Sequence, residues 1–500
     1  MEPALNARPA LRPLPECPTF ARILLRGGRV RLPCWRPIRS LSAALSLLSA
    51  APGTALAQER LPCPDCNPPQ RFWAAAGELM AVQLIPWSVN SILRDAEWAD
   101  ISLETWGDNI QFPWQYDNNK FLNNQFSHPY HGNLYFNSAR TNGYDFWEST
   151  PWALAGSLMW ELFGEVWAPS PNDLLNTTLG GITLGETTYR LSSLILDNTA
   201  TGSERTFREI SAALINPVRG FNRLVRGQMN DITANPPDWR PNGIFGSLEA
   251  GYRRFTTDDP GDTGVAGDDA LDQTFLHFLL IYGNETDDLS KSPFSTFSGS
   301  GMISSNSGGG RTLAELRARG NLAARPVFDD SDRHQLAAFM TYTYFSNPII
   351  EFGAQGFSGG LVTRNAPSKG GVRLTGEALA HFMPIAAIRS DYFVTAEGRD
   401  YDYGLGAGAQ LMGRAVWGNK LAVSGRANYT WLPVVSGFSG DHHLTVLNAE
   451  ARYYFTSRWG VGVLGTLFSR ASKYDDLAAV DEHASELRGF VSLAVPGISQ

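Results

Sequence analysis

Leu447-Asn-Ala-Glu-Ala-Arg-Tyr-Tyr-Phe455 reads as a strand with two chemically different faces. Leu447, Ala449, Ala451, Tyr453 and Phe455 share one face; Asn448, Glu450, Arg452 and Tyr454 share the other. The same period of two recurs on both sides of it. Leu421, Val423, Gly425, Ala427, Tyr429 and Trp431 alternate with Lys420, Ser424, Arg426 and Asn428. Leu487, Val491, Leu493 and Val495 stand opposite Glu486, Arg488 and Ser492, and Val372, Leu374, Ala378 and Phe382 opposite Arg373, Thr375, Glu377 and His381.

A soluble sandwich would also alternate, so further signals decide the fold. The segments are about ten residues or longer, beyond the usual length of a soluble strand. Tyr429, Trp431, Tyr453, Tyr454, Phe455 and Trp459 gather at segment ends, where interfacial girdles lie. Tight turns at 417–420 and 456–460 contrast with longer connections at 256–271, 385–402 and 472–485. These features predict a transmembrane antiparallel β-barrel of about twelve strands over 243–500, preceded by a small α-helical domain. The expected strands lie near 243–256, 272–283, 293–305, 310–326, 333–347, 349–363, 371–384, 403–416, 419–432, 441–456, 459–471 and 482–495. Glu315, Arg317, Arg319, Arg373, Glu377, Arg414, Arg426, Glu450, Arg452, Glu486 and Arg488 then point inward. Both signs occur, which suits internal ion pairing better than an ion-selecting ring.

The chain holds 500 residues with a net charge of −8, but the charge is uneven. Residues 1–57 carry eight Arg against Glu2 and Glu16, leaving a body of 33 basic and 47 acidic residues. So acidic a body excludes a nucleic-acid partner, because phosphate contacts need clustered Lys and Arg. A basic leader, the short apolar run 41–50 and Ala55-Leu56-Ala57 read as a secretory signal peptide over 1–57. The expected location is the outer membrane. The expected partners are outer-membrane lipids, lipopolysaccharide and the barrel-assembly machinery. In an exported chain, Cys63 and Cys66 are expected to close a local disulfide.

Residues 58–242 form the second region, on the periplasmic side of the barrel or plugging it. Gln70–Asp95 is a helical stretch bent at Pro86, and 96–144 is aromatic, Asn-rich and without a clean period. Asp145–Trp167 and Asn172–Leu196 are helices expected to pair as a hairpin, Ser170 capping the second and Gly181 and Gly185 offering a smooth strip. A further helix near 203–228 carries Arg205, Arg208, Arg219, Arg223 and Arg226, suited to lipid headgroups or to a solvated face.

One polar constellation stands out here: His128, His131, Arg140, Glu161, Glu165, Asp173, Asn176, Glu186 and Arg190. Glu161 and Glu165 share a helix face, and Asn176 and Arg190 belong to a stripe on the next helix. Three readings fit: a structural or docking network, a divalent-metal or ligand site, and a hydrolytic centre acting on lipid or cell-wall material. No cofactor is required. The pair His128-x-x-His131 is not the helical HExxH of a metalloprotease, and no residue has a firm catalytic assignment. Gly356-Phe-Ser-Gly-Gly360 matches GxSxG only by letter, inside an expected strand. Envelope structure or plugged transport is the leading function, and membrane-embedded hydrolysis the alternative.

Over 105–190 the chain resembles an uncharacterised bacterial envelope family, a domain of unknown function. The resemblance rests on Trp106-Gly-Asp-Asn-Ile-Gln-Phe, His128-Pro-Tyr-His-Gly-Asn-Leu-Tyr-Phe, Gly143-Tyr, Trp160-Glu-Leu-Phe-Gly-Glu, Pro171-Asn-Asp and Asn176-Thr-Thr-Leu-Gly-Gly. It implies an exported Gram-negative protein with a C-terminal outer-membrane barrel. It supplies no reaction or catalytic residue.

Overall fold

The alternating segments close into a barrel of twelve antiparallel strands in sequential order, β1 pairing with β12. A computed structural model describes residues 61–257, 271–284, 289, 291–305, 313–328, 333–347, 350–365, 371–418 and 420–495. The leader 1–57, with Cys17 and Cys34, lies outside the described residues. The strands are β1 Ile244–Thr257, β2 Leu271–Tyr282, β3 Phe297–Ser304, β4 Leu313–Pro326, β5 His334–Ser346 and β6 Glu351–Arg364. They continue as β7 Val372–Arg389, β8 Tyr401–Trp417, β9 Leu421–Ser436, β10 Gly440–Tyr454, β11 Trp459–Tyr474 and β12 Val480–Val495.

Ile244 and Val495 mark a near rim; β8 begins at the far rim. The expected contrast in loop length between rims is not found. β11 and β12 extend to leave only 475–479 between them, while the near-rim connection 283–296 is long.

Two sets of contacts fix which face looks inward. Arg452 of β10 pairs with Glu249 of β1 at 2.7 Å, and Arg319 of β4 with Glu377 of β7 at 2.7 Å, both between non-adjacent strands. Such pairs meet only across the lumen. The charged face is therefore internal, as the alternation predicts. The opposite face leaves Leu411, Leu447, Leu467, Leu487 and Val463 exposed, the apolar belt of a membrane-spanning barrel. Towards the far rim the interior becomes apolar: Phe255, Phe345, Met383, Leu432, Leu444 and Phe468 form one buried cluster.

A register slip between Met383 and Ala386 reverses the faces of β7. Before it Phe382 faces out; beyond it Ile385 and Ala387 do, and Ala386 turns in with the apolar cluster.

The helices precede the barrel. They are α1 Phe72–Ser88, α2 Leu103–Gln111, α3 His128–Arg140, α4 Phe146–Phe163, α5 Pro171–Leu175, α6 Gly181–Ile195, α7 Gly202–Ile215 and α8 Pro217–Val225. A single π-type turn, Asn176–Gly180, joins α5 to α6. Two reciprocal caps set the starts of α2 and α4: Ser102 with Thr105, and Asp145 with Glu148. Pro217 breaks the expected 203–228 helix into α7 and α8. Cys63 and Cys66 are disulfide-bonded. Among the described residues no helix is long and apolar enough to cross a membrane.

The stretch 96–144 is not irregular: it holds α2 and α3, and α3 is the central element. Its apolar residues are diluted by Asn133, Asn137 and Ser138, which are buried, so the hydrophobic period is hidden. The strip Gly181/Gly185 packs against α3 and not against α4. A Cβ on Gly132 would fall on the Thr177 carbonyl, and one on Gly181 on the Gly132 backbone.

The described helices pack on the outside of the barrel. Leu184 of α6 and Phe121 pack with Tyr342, Tyr344, Ile385, Ala387, Tyr401 and Tyr403, all on the outward face. Phe136 and Phe146 pack with Tyr282, Phe294 and Phe297 at the near rim. The helical domain thus lies against the outer wall, from the near rim at β2–β3 to the far rim at β8.

Candidate functional site

The polar constellation divides into two buried groups. In the first, Glu186 of α6 receives a two-pronged contact from Arg140 of α3 (2.8 and 3.2 Å) and a third bond from Arg190 at 2.8 Å. Burial would raise the Glu186 pKa, but Arg140 and Arg190 outweigh it and hold the carboxyl below its ordinary range. Arg190 also donates to the Pro293 carbonyl at 3.2 Å, tying α6 to the connection before β3. This group is a structural clamp.

The second group lies where α3, α4 and α5 meet the barrel wall. His128 Nδ1 approaches Thr177 Oγ1 at 3.3 Å, and its Nε2 lies 3.6 Å from Asp173 Oδ1. Glu161, buried on α4, accepts the Ser170 backbone N–H at 2.7 Å. The Ser170 side chain caps α5 through the Asp173 N–H, as expected. His131 instead stacks on Tyr135 and against Trp160.

Several members were not singled out from the sequence. Asp117 Oδ1 accepts from Asn124 at 2.5 Å and from Asn172 at 2.8 Å. Asn172 also faces Tyr403 OH at 3.1 Å, and Tyr401 OH donates to the Asn119 carbonyl at 2.7 Å. Arg399, 1% exposed, lies over the Tyr403 ring at 4.7 Å and donates to the Asp117 carbonyl. For Asp117, Asn119 and Asn124 the one signal is the Asn-rich, aromatic composition of 96–144. The barrel partners are invisible because they lie more than two hundred residues downstream.

Electrostatically this second group is acidic. Burial pushes Glu161 up, with Glu165 adding to it, and pushes Glu165 up to about 8, with Asp117 adding to it. Asp173 is raised by burial and by Asp117, Glu161 and Glu165. Burial lowers His128 to about 4 and lowers His131. The group therefore favours protonated acids beside neutral imidazoles, a proton-holding arrangement. Asn176 is fully buried with neither side-chain polar atom hydrogen-bonded. Among the described residues, no three His, Cys, Asp or Glu side chains converge as a metal-holding group.

The basic residues of α7 and α8 face neither lipid headgroups nor water. Arg205 and Arg223 both pair with Glu209, at 2.8 and 2.7 Å, and are buried with it. Arg219 lies over the Tyr189 and Trp239 rings.

Inside the far rim, His442 Nδ1 meets Ser472 Oγ at 2.8 Å and its Nε2 meets Asp402 Oδ2 at 3.1 Å. All three are at most 1% exposed, so the trio joins β8, β10 and β11 as a strut rather than presenting a nucleophile. Ser358 of the GxSxG match lies within β6, its hydroxyl without a hydrogen-bond partner.

No curated protein matches this sequence. Among solved structures the chain is similar to the NanC porin (10% identity, TM-score 0.27), with 49% of this chain and 98% of that one covered. An outer membrane channel from Pseudomonas putida F1 shows 15% identity and a TM-score of 0.29, covering 52% and 98%. The outer membrane protease OmpT from Escherichia coli shows 9% identity and a TM-score of 0.21, covering 51% and 97%. Scores this low carry no inference about activity. The segment that builds α3 to α7 and meets the wall, residues 113–218, matches a family model described as a domain of unknown function, DUF3943.

Proposed function

We propose that this is a non-conducting outer-membrane protein whose barrel serves as a scaffold for the helical domain on its flank. The observation that carries this is a contact across the lumen. Phe345 of β5 and Phe468 of β11 stack with ring centroids 5.7 Å apart, although their strands are six positions apart in a ring of twelve. Strands that far apart are diametrically opposed, so at this level the interior is filled from wall to wall. Phe255, Met383, Leu432 and Leu444 complete the apolar layer, and the Arg–Glu pairs bridge the interior elsewhere.

In this reading the near rim faces the periplasm, as the paired ends of β1 and β12 require in barrels of this class. Lipid and lipopolysaccharide surround the barrel, and the barrel-assembly machinery inserts it. The working part of the molecule is the buried acidic, histidine-containing group between α3, α4, α5 and the β8 wall.

Planar-bilayer recording of the full-length protein, beside a form lacking 61–239, tests the scaffold reading. Both are expected to be silent once heat-modifiable mobility shows them folded. Conductance appearing only in the shortened form would restore a plugged channel in place of the scaffold.

A further inference from the structure

The helical domain is built inside out. Its interior holds many polar groups beside Phe136, Phe146 and Leu184: Asn133, Asn137, Ser157, Glu161, Asn172 and Glu186 are all buried. Its exterior exposes large apolar side chains: Trp73 is 84% exposed, Leu103 82% and Leu214 78%. The inversion is sharpest on α7 and α8. Phe207, Ile210 and Leu214 recur at helical spacing on the exposed side of α7, while Arg205, Arg208 and Glu209 turn inward. On α8, Phe221, Leu224 and Val225 are exposed while Arg219 and Arg223 are buried. A water-facing helix shows the reverse arrangement.

The location supplies the occupant. The domain covers the outer wall between the two rims, from Tyr282 and Phe297 to Tyr401 and Tyr403. The uncovered wall beside it exposes Leu411, Leu447 and Leu467, the belt that meets hydrocarbon. A domain with a wetted surface in that position would leave the bilayer no way to seal around β4 to β8. An apolar exterior continues the belt around the obstruction, and the polar groups beneath it are satisfied internally.

We infer that the exposed apolar surface of the helical domain is seated in the hydrocarbon of the outer membrane, beside the barrel. Among the described residues no helix is long and apolar enough to span on its own; the domain is held at membrane depth by the wall it leans on. Its buried acidic group then lies within a lipid-facing shell.

Site-directed spin labelling of the full chain in phosphatidylcholine vesicles tests this, with Cys17 and Cys34 replaced by serine and the Cys63–Cys66 disulfide intact. Labels at Ile92→Cys and Leu214→Cys are compared with Leu447→Cys on the barrel belt and Thr456→Cys in a near-rim turn. The expected result is that both domain sites lose access to an aqueous nickel chelate and gain access to oxygen, as Leu447 does. Chelate access equal to that at Thr456 would overturn the inference. So would dipolar broadening between labels at Leu214, which would put a second copy of the chain on that face. Each position is read separately, so a label that prevents folding at one leaves the other decisive.

Discussion

Asn172 donates towards Tyr403 OH at 3.1 Å, and this contact joins the start of α5 to the outer face of β8. Because the same amide serves Asp117, and its carbonyl oxygen accepts from Ser170 at 2.6 Å, the bond couples the pocket to the wall. Tyr403→Phe should cost about 1 kcal/mol of docking, the net worth of one such bond. Asn172→Ala should cost about 2–3 kcal/mol, because buried partners are left unmet. The readout is the helical circular dichroism signal on heating: it should melt earlier, while the heat-modifiable mobility of the barrel is unchanged.

Glu186 neutralises two buried guanidinium groups, so its loss is more damaging than that of either Arg. Glu186→Gln should destabilise the helical domain by about 3–5 kcal/mol by removing the one carboxylate that Arg140 and Arg190 share. Adding Arg190→Met to that variant should recover part of the loss. The comparison of the single and double variants in urea melts checks this.

The acidic group makes the stability of the helical domain depend on pH. Glu165 titrates at about 8 when folded, against an ordinary value of 4.5, so its contribution is complete below 4.5 and is lost as pH rises through 8. Glu161 and Asp173 act in the same direction. His128 has the opposite sign: lowered to about 4 from 6.5, it contributes above 6.5 and loses that contribution as pH falls through 4. Between 4.5 and 6.5 the acids and the imidazole act in opposite directions, and above 6.5 the acids act alone, so thermal midpoints of the helical signal should fall as pH rises from 6.5 through 8. Glu165→Gln should shrink that fall.

The apolar layer across the lumen predicts a conductance phenotype. Phe345→Ala together with Phe468→Ala removes the pair that meets across the centre, at a cost of about 3–5 kcal/mol each if the cavity stays empty. Small discrete conductance steps are expected in bilayers from the double variant and none from the parent. Continued silence of a folded double variant would mean that the charged layers alone close the barrel.

The barrel was almost wholly legible because alternation is a local property: each strand declares its two faces within its own ten or so residues. The charged inward set, from Glu315 to Arg488, follows directly from that period. What escaped were features set by distant partners. α3 was hidden because its buried face carries Asn133 and Asn137, which reads as loop composition when an apolar interior is assumed. Arg205 and Arg223 read as charges for lipid headgroups or water for the same reason, although Glu209 lies on the same stretch of sequence. The assumption that polar means outside fails in a domain whose interior holds this many polar side chains. The slip after Met383 was equally invisible, since it matters only through what Ile385 and Ala387 then touch. Of the candidate site, the residue list was largely right, but its division into a clamp around Glu186 and an acidic pocket around Asp173 needed Tyr403 and Asp117 to be seen.

The pairing of Asn124 with Tyr401 spans 277 positions of the chain, and that of Asn172 with Tyr403 spans 231. The part of the protein that is made and exported first therefore cannot finish its own interior until the eighth strand is in place. Until then Leu184 and Phe121 have no wall to cover them, and the amides beneath have no phenols to bond. The helical domain is an early arrival that must wait, and its completion records that the wall beside it has been built as far as its eighth strand.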